Sequence, residues 1–223
     1  FGYTGWWMAV FYSDSKAPHR YLALYDGLDP IGNGGDSIIS ASGFLIPKNF
    51  AALSQAKLGV MAFDGDMGLT GDKLLLADTP IEDVPGFANN FFNGSRTYLG
   101  ASLSPAGDLP QLSGEPGSLS RIDLDVIDIT PLVTEGQAQI DIKAVSEGEL
   151  FDFTGLLVSV PTFTDSDSDT ISDDEEIALG TNPMDKDSDD DGVDDNQEGC
   201  SDLAACPAGG NPGADTDGDG IIN

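Results

Sequence analysis

Positive charge is scarce in this sequence. Its 223 residues hold 9 Lys or Arg against 39 Asp or Glu, a formal net charge of -30. Binding nucleic acid through its phosphates needs a surplus of cations, so that class of partner is excluded, and an anionic membrane surface is disfavoured for the same reason. Histidine is nearly absent: His19 stands alone beside two cysteines. Histidine-centred catalysis and zinc ligation therefore lack their usual residues. Long apolar runs are missing too. None approaches the roughly 18 residues of a membrane-spanning helix, so no membrane insertion is expected of this segment. No signal peptide is visible, and Phe1 opens directly on an apolar stretch, as in a mature piece or a fragment.

What charge there is divides unevenly. Residues 1–164 hold 20 acidic and 8 basic side chains, whereas residues 165–223 hold 19 acidic ones and only Lys186. Every aromatic residue lies at or before Phe163. The first part has the composition of a globular domain with one core. The second cannot build such a core, and reads as disordered unless something compensates its charge. Two domains are expected, 1–163 and 164–223.

The first part reads as all-β. Short apolar runs recur at 6–12, 21–25, 37–46, 58–63, 73–77, 97–103, 122–129, 138–145 and 151–160, separated by turn chemistry such as Asp26-Gly27, Asn33-Gly34 and Pro85-Gly86. Period-two alternation is clear at Ile122, Leu124 and Val126, with Asp123 and Asp125 between them, and again at Ile140, Ile142 and Ala144. The apolar phase shifts to Ile127 and Ile129, which predicts a bulge after Val126. Residues 50–56 predict one short turn of helix. Eight to nine short strands in such a length predict a β-sandwich or jelly roll, followed by a core-poor, calcium-stabilised aspartate-repeat tail.

The tail repeats one pattern three times. The first copy is Asp165, Asp167, Asp169, Ile171, Asp173 and Glu176. The second is Asp187, Asp189, Asp191, Val193, Asp195 and Glu198. The third is Asp215, Asp217, Asp219, Ile221 and Asn223, where position 12 would fall beyond the given sequence, so the native chain is expected to continue. These are the positions 1, 3, 5, 7, 9 and 12 of a calcium loop. Side chains at 1, 3 and 5 converge on one ion, the carbonyl of 7 joins them, 9 often acts through a water, and the carboxylate at 12 supplies two oxygens. Gly192 and Gly220 occupy position 6, where the loop turns sharply; Thr170 fills that place in the first loop. The donors are all hard oxygens, which suit Ca2+ over zinc or copper, and magnesium resists the dehydration required.

The tail resembles the bacterial kind of thrombospondin type 3 repeat over residues 164–223. The resemblance rests on the three aspartate loops and on Glu175-Glu176-Ile177-Ala178-Leu179-Gly180-Thr181-Asn182-Pro183. It implies calcium-filled arrays used as stiff extracellular spacers, a helical turn carrying the ligand Glu176 and stopped at Gly180, and ions shared between loops through Asp185 and Asp194. Thr170 and the insertion at 199–214 depart from the pattern. Cys200 and Cys206 bracket that insertion; a small disulfide loop, two free thiols and metal ligation stay open as readings.

Residues 1–160 resemble, less specifically, a β-sandwich module of large bacterial surface proteins. The matching stretches are Gly5-Trp6-Trp7-Met8-Ala9-Val10-Phe11-Tyr12, Leu24-Tyr25-Asp26-Gly27, Phe63-Asp64-Gly65-Asp66 through Asp72, and Asn89 through Ser95. This implies an adhesin-like or surface-layer protein, and related chains carry strands before the Gly-Trp segment. Candidate partners besides calcium ions are neighbouring copies of the chain, through strand donation or sandwich packing into a filament, and a surface glycan.

Smaller features have plainer readings. Asp64, Asp66 and Asp72 could hold a further ion, but a surface turn is the preferred reading. Asn93-Gly94-Ser95 matches a glycosylation triplet that is common by chance. Asp123 and Asp125 are expected on the solvated face of a strand rather than as a catalytic pair. The whole is expected to be an extracellular, cell-surface structural or adhesive protein and not an enzyme. The alternative is a carbohydrate-binding module of a secreted protein, with Trp6 or Trp7 in its platform.

Overall fold

The computed structural model describes residues 8–14, 16–48, 50–104, 121–188, 192 and 194–196. The chain divides into two compact units, Phe1–Thr162 and Phe163–Asn223. The first is mainly all-β. Its strands are β1 (Arg20–Ile31), β2 (Asp36–Ser42), β3 (Lys57–Phe63), β4 (Asp72–Leu76), β5 (Thr79–Ile81), β6 (Arg96–Tyr98), β7 (Ala101–Ser102), β8 (Ile122–Asp128), β9 (Gln139–Ser146) and β10 (Phe151–Pro161). A single helical turn, α1 (Phe50–Leu53), precedes β3. One sheet has the order β1-β10-β3-β8-β6-β7 and the other β2-β9-β4-β5. Their ladders are antiparallel except that of β6 with β8, which makes the larger sheet mixed.

Inward-facing residues of both sheets join one hydrophobic cluster. Leu58, Val60, Leu156, Val158 and Val160 come from the larger sheet, and Ala41, Leu74, Leu76, Ile140 and Ile142 from the smaller. Phe92 sits at one end, stacked on Phe151 with ring centroids 4.0 Å apart and edge-on to Phe91 at 5.1 Å. Such a core forms because β3, β9 and β10 turn every second residue inward as an apolar side chain, and burying each large one contributes about 1.5–3 kcal/mol. The strand at 79–81 is not legible in the sequence; Thr79-Pro80 is too short a run to show a period. Conversely, residues 8–12 are not in a strand, and the Trp6 and Trp7 rings lie outside the described residues.

Strand β8 reverses the sequence expectation. Asp123 and Asp125 are 0% exposed, while Leu124 between them is 43% exposed. The register of β3 with β8 runs from Lys57↔Asp128 to Phe63↔Ile122 without a shift, so there is no bulge after Val126. One face simply changes from aspartate to isoleucine along its length, with Ile127 and Ile129 buried in phase with the two acids. Two causes turn the strand this way round. Outside, Leu124 and Val126 continue an apolar strip with Leu24, Leu157 and Met61. Inside, the acids meet donors: Gly94 N–H lies 2.8 Å from Asp123 Oδ1, and the Thr97 hydroxyl 2.6 Å from Asp125 Oδ1. The loop closing on Asp123 needs glycine, because a Cβ at Gly65 would run into the Asp123 carboxylate and the Phe92 carbonyl.

The stacked Phe92 is a direct test of this core. Phe92→Ala is expected to destabilise the β unit by about 3–5 kcal/mol, read from denaturant unfolding followed by tyrosine fluorescence. The last tyrosine is Tyr98 and the last tryptophan Trp7, so this signal reports the first unit alone.

Candidate metal centre

In the second unit the first aspartate loop leads into α2 (Asp173–Leu179). The helix begins where Ser172 and Glu175 cap each other reciprocally: the Ser172 hydroxyl accepts from Glu175 N–H, and the Glu175 carboxylate accepts from Ser172 N–H. It ends at Gly180, left-handed at φ 92°, whose N–H donates to the Glu176 carbonyl at 2.7 Å. This short helix fixes where the position-12 carboxylate goes. Glu176 is 0% exposed and turned toward Asp167 and Asp169. Ile171, at position 7, is buried as well.

Asp165, Asp167 and Asp169 come together. Each offers a carboxylate oxygen, and the three oxygens lie within 4.8 Å of one another. That is the span across a dication whose ligands stand about 2.4 Å from its centre. Backbone N–H groups wrap the loop around them: Ser168 and Thr170 donate to Asp165 at 2.7 and 3.1 Å, Asp169 to Asp167 at 3.1 Å, and Ile171 to Asp169 at 2.7 Å. These bonds leave oxygens over. Asp167 Oδ2, Asp169 Oδ2 and both oxygens of Glu176 are buried with no hydrogen-bond partner. Burial first, then the charges of Asp167 and Asp169, push the Glu176 carboxyl up to about 8. Burial and the charges of Asp165 and Asp195 raise Asp167 as well. Four acids turned toward one another, with four of their oxygens left without a donor, can hold a divalent cation.

The position-9 aspartates do different work. Asp173 accepts from the Ser166 N–H at 2.8 Å and from its hydroxyl at 2.9 Å. Asp195 does the same with Ser188 at 3.0 and 2.7 Å. Both carboxylates thus brace the start of their own loops. The sequence held this signal, a serine at position 2 in both copies, but spacing alone gave it no role. Asp195 is nearly fully buried, and its charge reaches the first cluster. Asn196 ties the loops further, donating to the Asp169 carbonyl and to Thr170 Oγ1, and Lys186 donates to the Ser168 carbonyl at 3.3 Å. Asp187 accepts from Gly192 N–H at 2.7 Å, and Asp185 is exposed in a turn closed on Asn182. Asp189, Asp191, Val193, Glu198, Asp215, Asp217, Asp219, Ile221, Asn223, Cys200 and Cys206 lie outside the described residues.

In the first unit, Asp64 and Asp66 form a surface turn bound by Arg121, at 2.7 and 3.1 Å. Asp72 is separated from them by burial. Asn93, of the glycosylation triplet, is buried and donates to Asp83 and to the Asn90 carbonyl, so it is a structural amide. Among the described residues, no helix is long and apolar enough to cross a membrane.

No protein-family model matches the chain, and no curated protein matches it. A solved structure does: a β-porphyranase of glycoside hydrolase family 86 from the human gut bacterium Bacteroides plebeius, at 14% identity and a TM-score of 0.36. The match covers 65% of this chain and 21% of that one, so the chain spans about a fifth of the enzyme's length. The matched structure is an enzyme, so the expectation that the chain is not an enzyme is withdrawn, and neither an activity nor its absence is assigned to the chain. A likeness of this size carries no residue or substrate over.

Two outcomes follow from the loop geometry. Glu176 starts from a usual value of 4.5 and is raised to about 8, so its protonated form is favoured in the folded unit. Its contribution to stability is complete below about 4.5 and is lost as pH rises through about 8. In chelator, limited proteolysis of the second unit should therefore be slower at pH 5 than at pH 8. Thr170 stands at φ 87°, a left-handed conformation costly for a β-branched residue and held by glycine in the second loop, at φ 96°. Thr170→Gly should remove about 1 kcal/mol of strain and tighten cation binding roughly fivefold, measured by titration calorimetry.

Proposed function

We propose that this chain is an extracellular calcium-binding protein in which a β-sandwich is joined to a spacer of thrombospondin type 3-like loops. The observation that carries this reading is the convergence of Asp165, Asp167 and Asp169 with a wholly buried Glu176 whose two oxygens have no donor. Carboxylate and carbonyl oxygens at the spacing of a calcium loop favour calcium over softer metals. The tail carries 19 acidic side chains and one lysine, so without ions it repels itself. Each bound dication cancels part of that charge and imposes the loop geometry, which makes binding and ordering one event. Such a spacer suits a cell-surface position, with the β-sandwich packing against copies of itself or against a surface.

Carbohydrate binding by the β-sandwich is a second reading. A groove of about 580 Å3 is lined by the exposed Phe11 and Tyr12 together with Asp14, His19 and Arg20. Aromatic faces beside hydrogen-bonding side chains are the combination that holds a sugar ring. A glycan array with wild type and Tyr12→Ala would settle it; signals unaffected by the substitution would count against this groove.

Calcium is tested on the full chain. Calorimetric titration should show heat of uptake. EDTA should open the second unit to protease while the β-sandwich stays folded at room temperature, because among the described residues only the sandwich has an apolar core. Equal protease resistance of the second unit with EDTA and with calcium would overturn the reading.

A further inference from the structure

The β unit carries its own set of opposed oxygens. Glu149 lies in the connection between β9 and β10, where its N–H donates to Ser146 Oγ at 3.0 Å and its carbonyl accepts from the same hydroxyl. Its side chain is 2% exposed, and neither carboxylate oxygen has a hydrogen-bond partner. The group it stands against is the Asp72 carboxyl, itself fully buried at the start of β4. Asp72 Oδ1 accepts from Phe92 N–H at 2.6 Å, which leaves Oδ2 on the side of Asn90 and the Leu69 carbonyl. The Asn90 amide is 3.2 Å from Asp72 Oδ2 and touches the Leu69 carbonyl.

Three loops are locked together around this point. Gly71 N–H donates to the Asn89 carbonyl at 2.8 Å, and Glu147 N–H donates to the Gly71 carbonyl at 2.8 Å. A Cβ at Gly71, which has φ 115°, would crowd Glu147, so the approach is close by construction. The nearby cation Arg121 is engaged by Asp64 and Asp66.

We propose that Asp72 and Glu149, with the Leu69 carbonyl and the Asn90 side-chain oxygen, form a second hard-dication site, of the calcium class, inside the β unit. Two carboxylates and one dication sum to zero charge, which is what a buried site requires. The donors are all oxygens and come from three segments of the chain, and water completes the six to eight ligands calcium takes. Two simpler arrangements are less complete. Turning the Asn90 amide over lets its nitrogen donate to Asp72 and Leu69 but gives Glu149 nothing. A proton shared between the two carboxyls serves one oxygen of Glu149 and leaves the other bare. This site is independent of the loops of the second unit, and the test separates the two.

The test uses the full chain and a thermal melt followed by tyrosine and tryptophan fluorescence, which reports the β unit. Three proteins are compared, each in 2 mM calcium and in EDTA (~2 mM, in excess of trace metal): wild type, Glu149→Gln, and a tail variant carrying Asp167→Asn with Glu176→Gln. Wild type and tail variant should melt at least about 5 °C higher in calcium. Glu149→Gln should show no calcium shift, and in EDTA should melt above wild type, because glutamine gives Asp72 a donor in place of a like charge. A calcium shift retained by Glu149→Gln overturns the site. So does a melt raised equally in both conditions, which is the signature of a proton-bridged pair. Should Glu149→Gln fail to fold, the tail variant decides alone: a β-unit melt that calcium does not move rules the site out, and one moved by several degrees upholds it.

Discussion

Carboxylates buried against one another, with no hydrogen-bond donor between them, are the constraint on which both units depend. An ionised carboxylate taken out of water costs several kcal/mol unless something of opposite charge or a full set of donors replaces its hydration. Glu176 and Glu149 each meet a facing acid instead of a donor. Both are pushed up to about 8, with burial the larger cause and the neighbouring charge second. A base could relieve this, but the chain has few, and Arg121 is spent on surface aspartates. What remains is a proton or a cation, and these two give opposite dependences on pH and on metal.

The two units meet that constraint on different scaffolds. Among the described residues of the second unit there is little apolar packing to hold a loop in place, so polar contacts do it. Serines at position 2 brace the position-9 aspartates, a reciprocal cap starts the helix that delivers Glu176, and Asn196 fastens the second loop to the first. These bonds hold the ligand oxygens close together but do not satisfy them. In the β unit the aromatic cluster of Phe92 and Phe151 and the paired strands hold the backbone, and the acids occupy one end of the same interior. There an apolar core lies beside the acids, whereas the described loop residues rely on polar contacts.

Much of the local structure was legible. The alternation at 140–144 reads directly as the inward row Ile140, Ile142 and Ala144 of β9. The aspartate spacing brings Asp165, Asp167 and Asp169 together, as a wrapped loop should. Phase was harder to read than period. Along β8 the residues alternate as expected, but which set faces inward depends on what lies on each side, and Gly94, Ser95 and Thr97 are far away in sequence. The apparent bulge after Val126 had the same origin, a change of chemistry along one face rather than an extra residue. The three-residue strand at 79–81 carried too few side chains to show any period. Asp72 looked like a surface acid beside Asp64 and Asp66 because a glycine-rich stretch hides the point at which the chain turns inward.

The division of charge between the two parts, the β character of the first and the oxygen-donor spacing of the tail loops are all written in residue order. These are properties of neighbouring residues, set by backbone period and composition. Which carboxylates are deprived of water, and which are answered by a donor, emerges from the folded arrangement alone. Glu149 and Asp72 are 77 positions apart, and nothing in the order of residues places one against the other. Desolvation is a property of everything that surrounds a group, and that surrounding is assembled from segments whose sequence separation has no fixed relation to their distance in space.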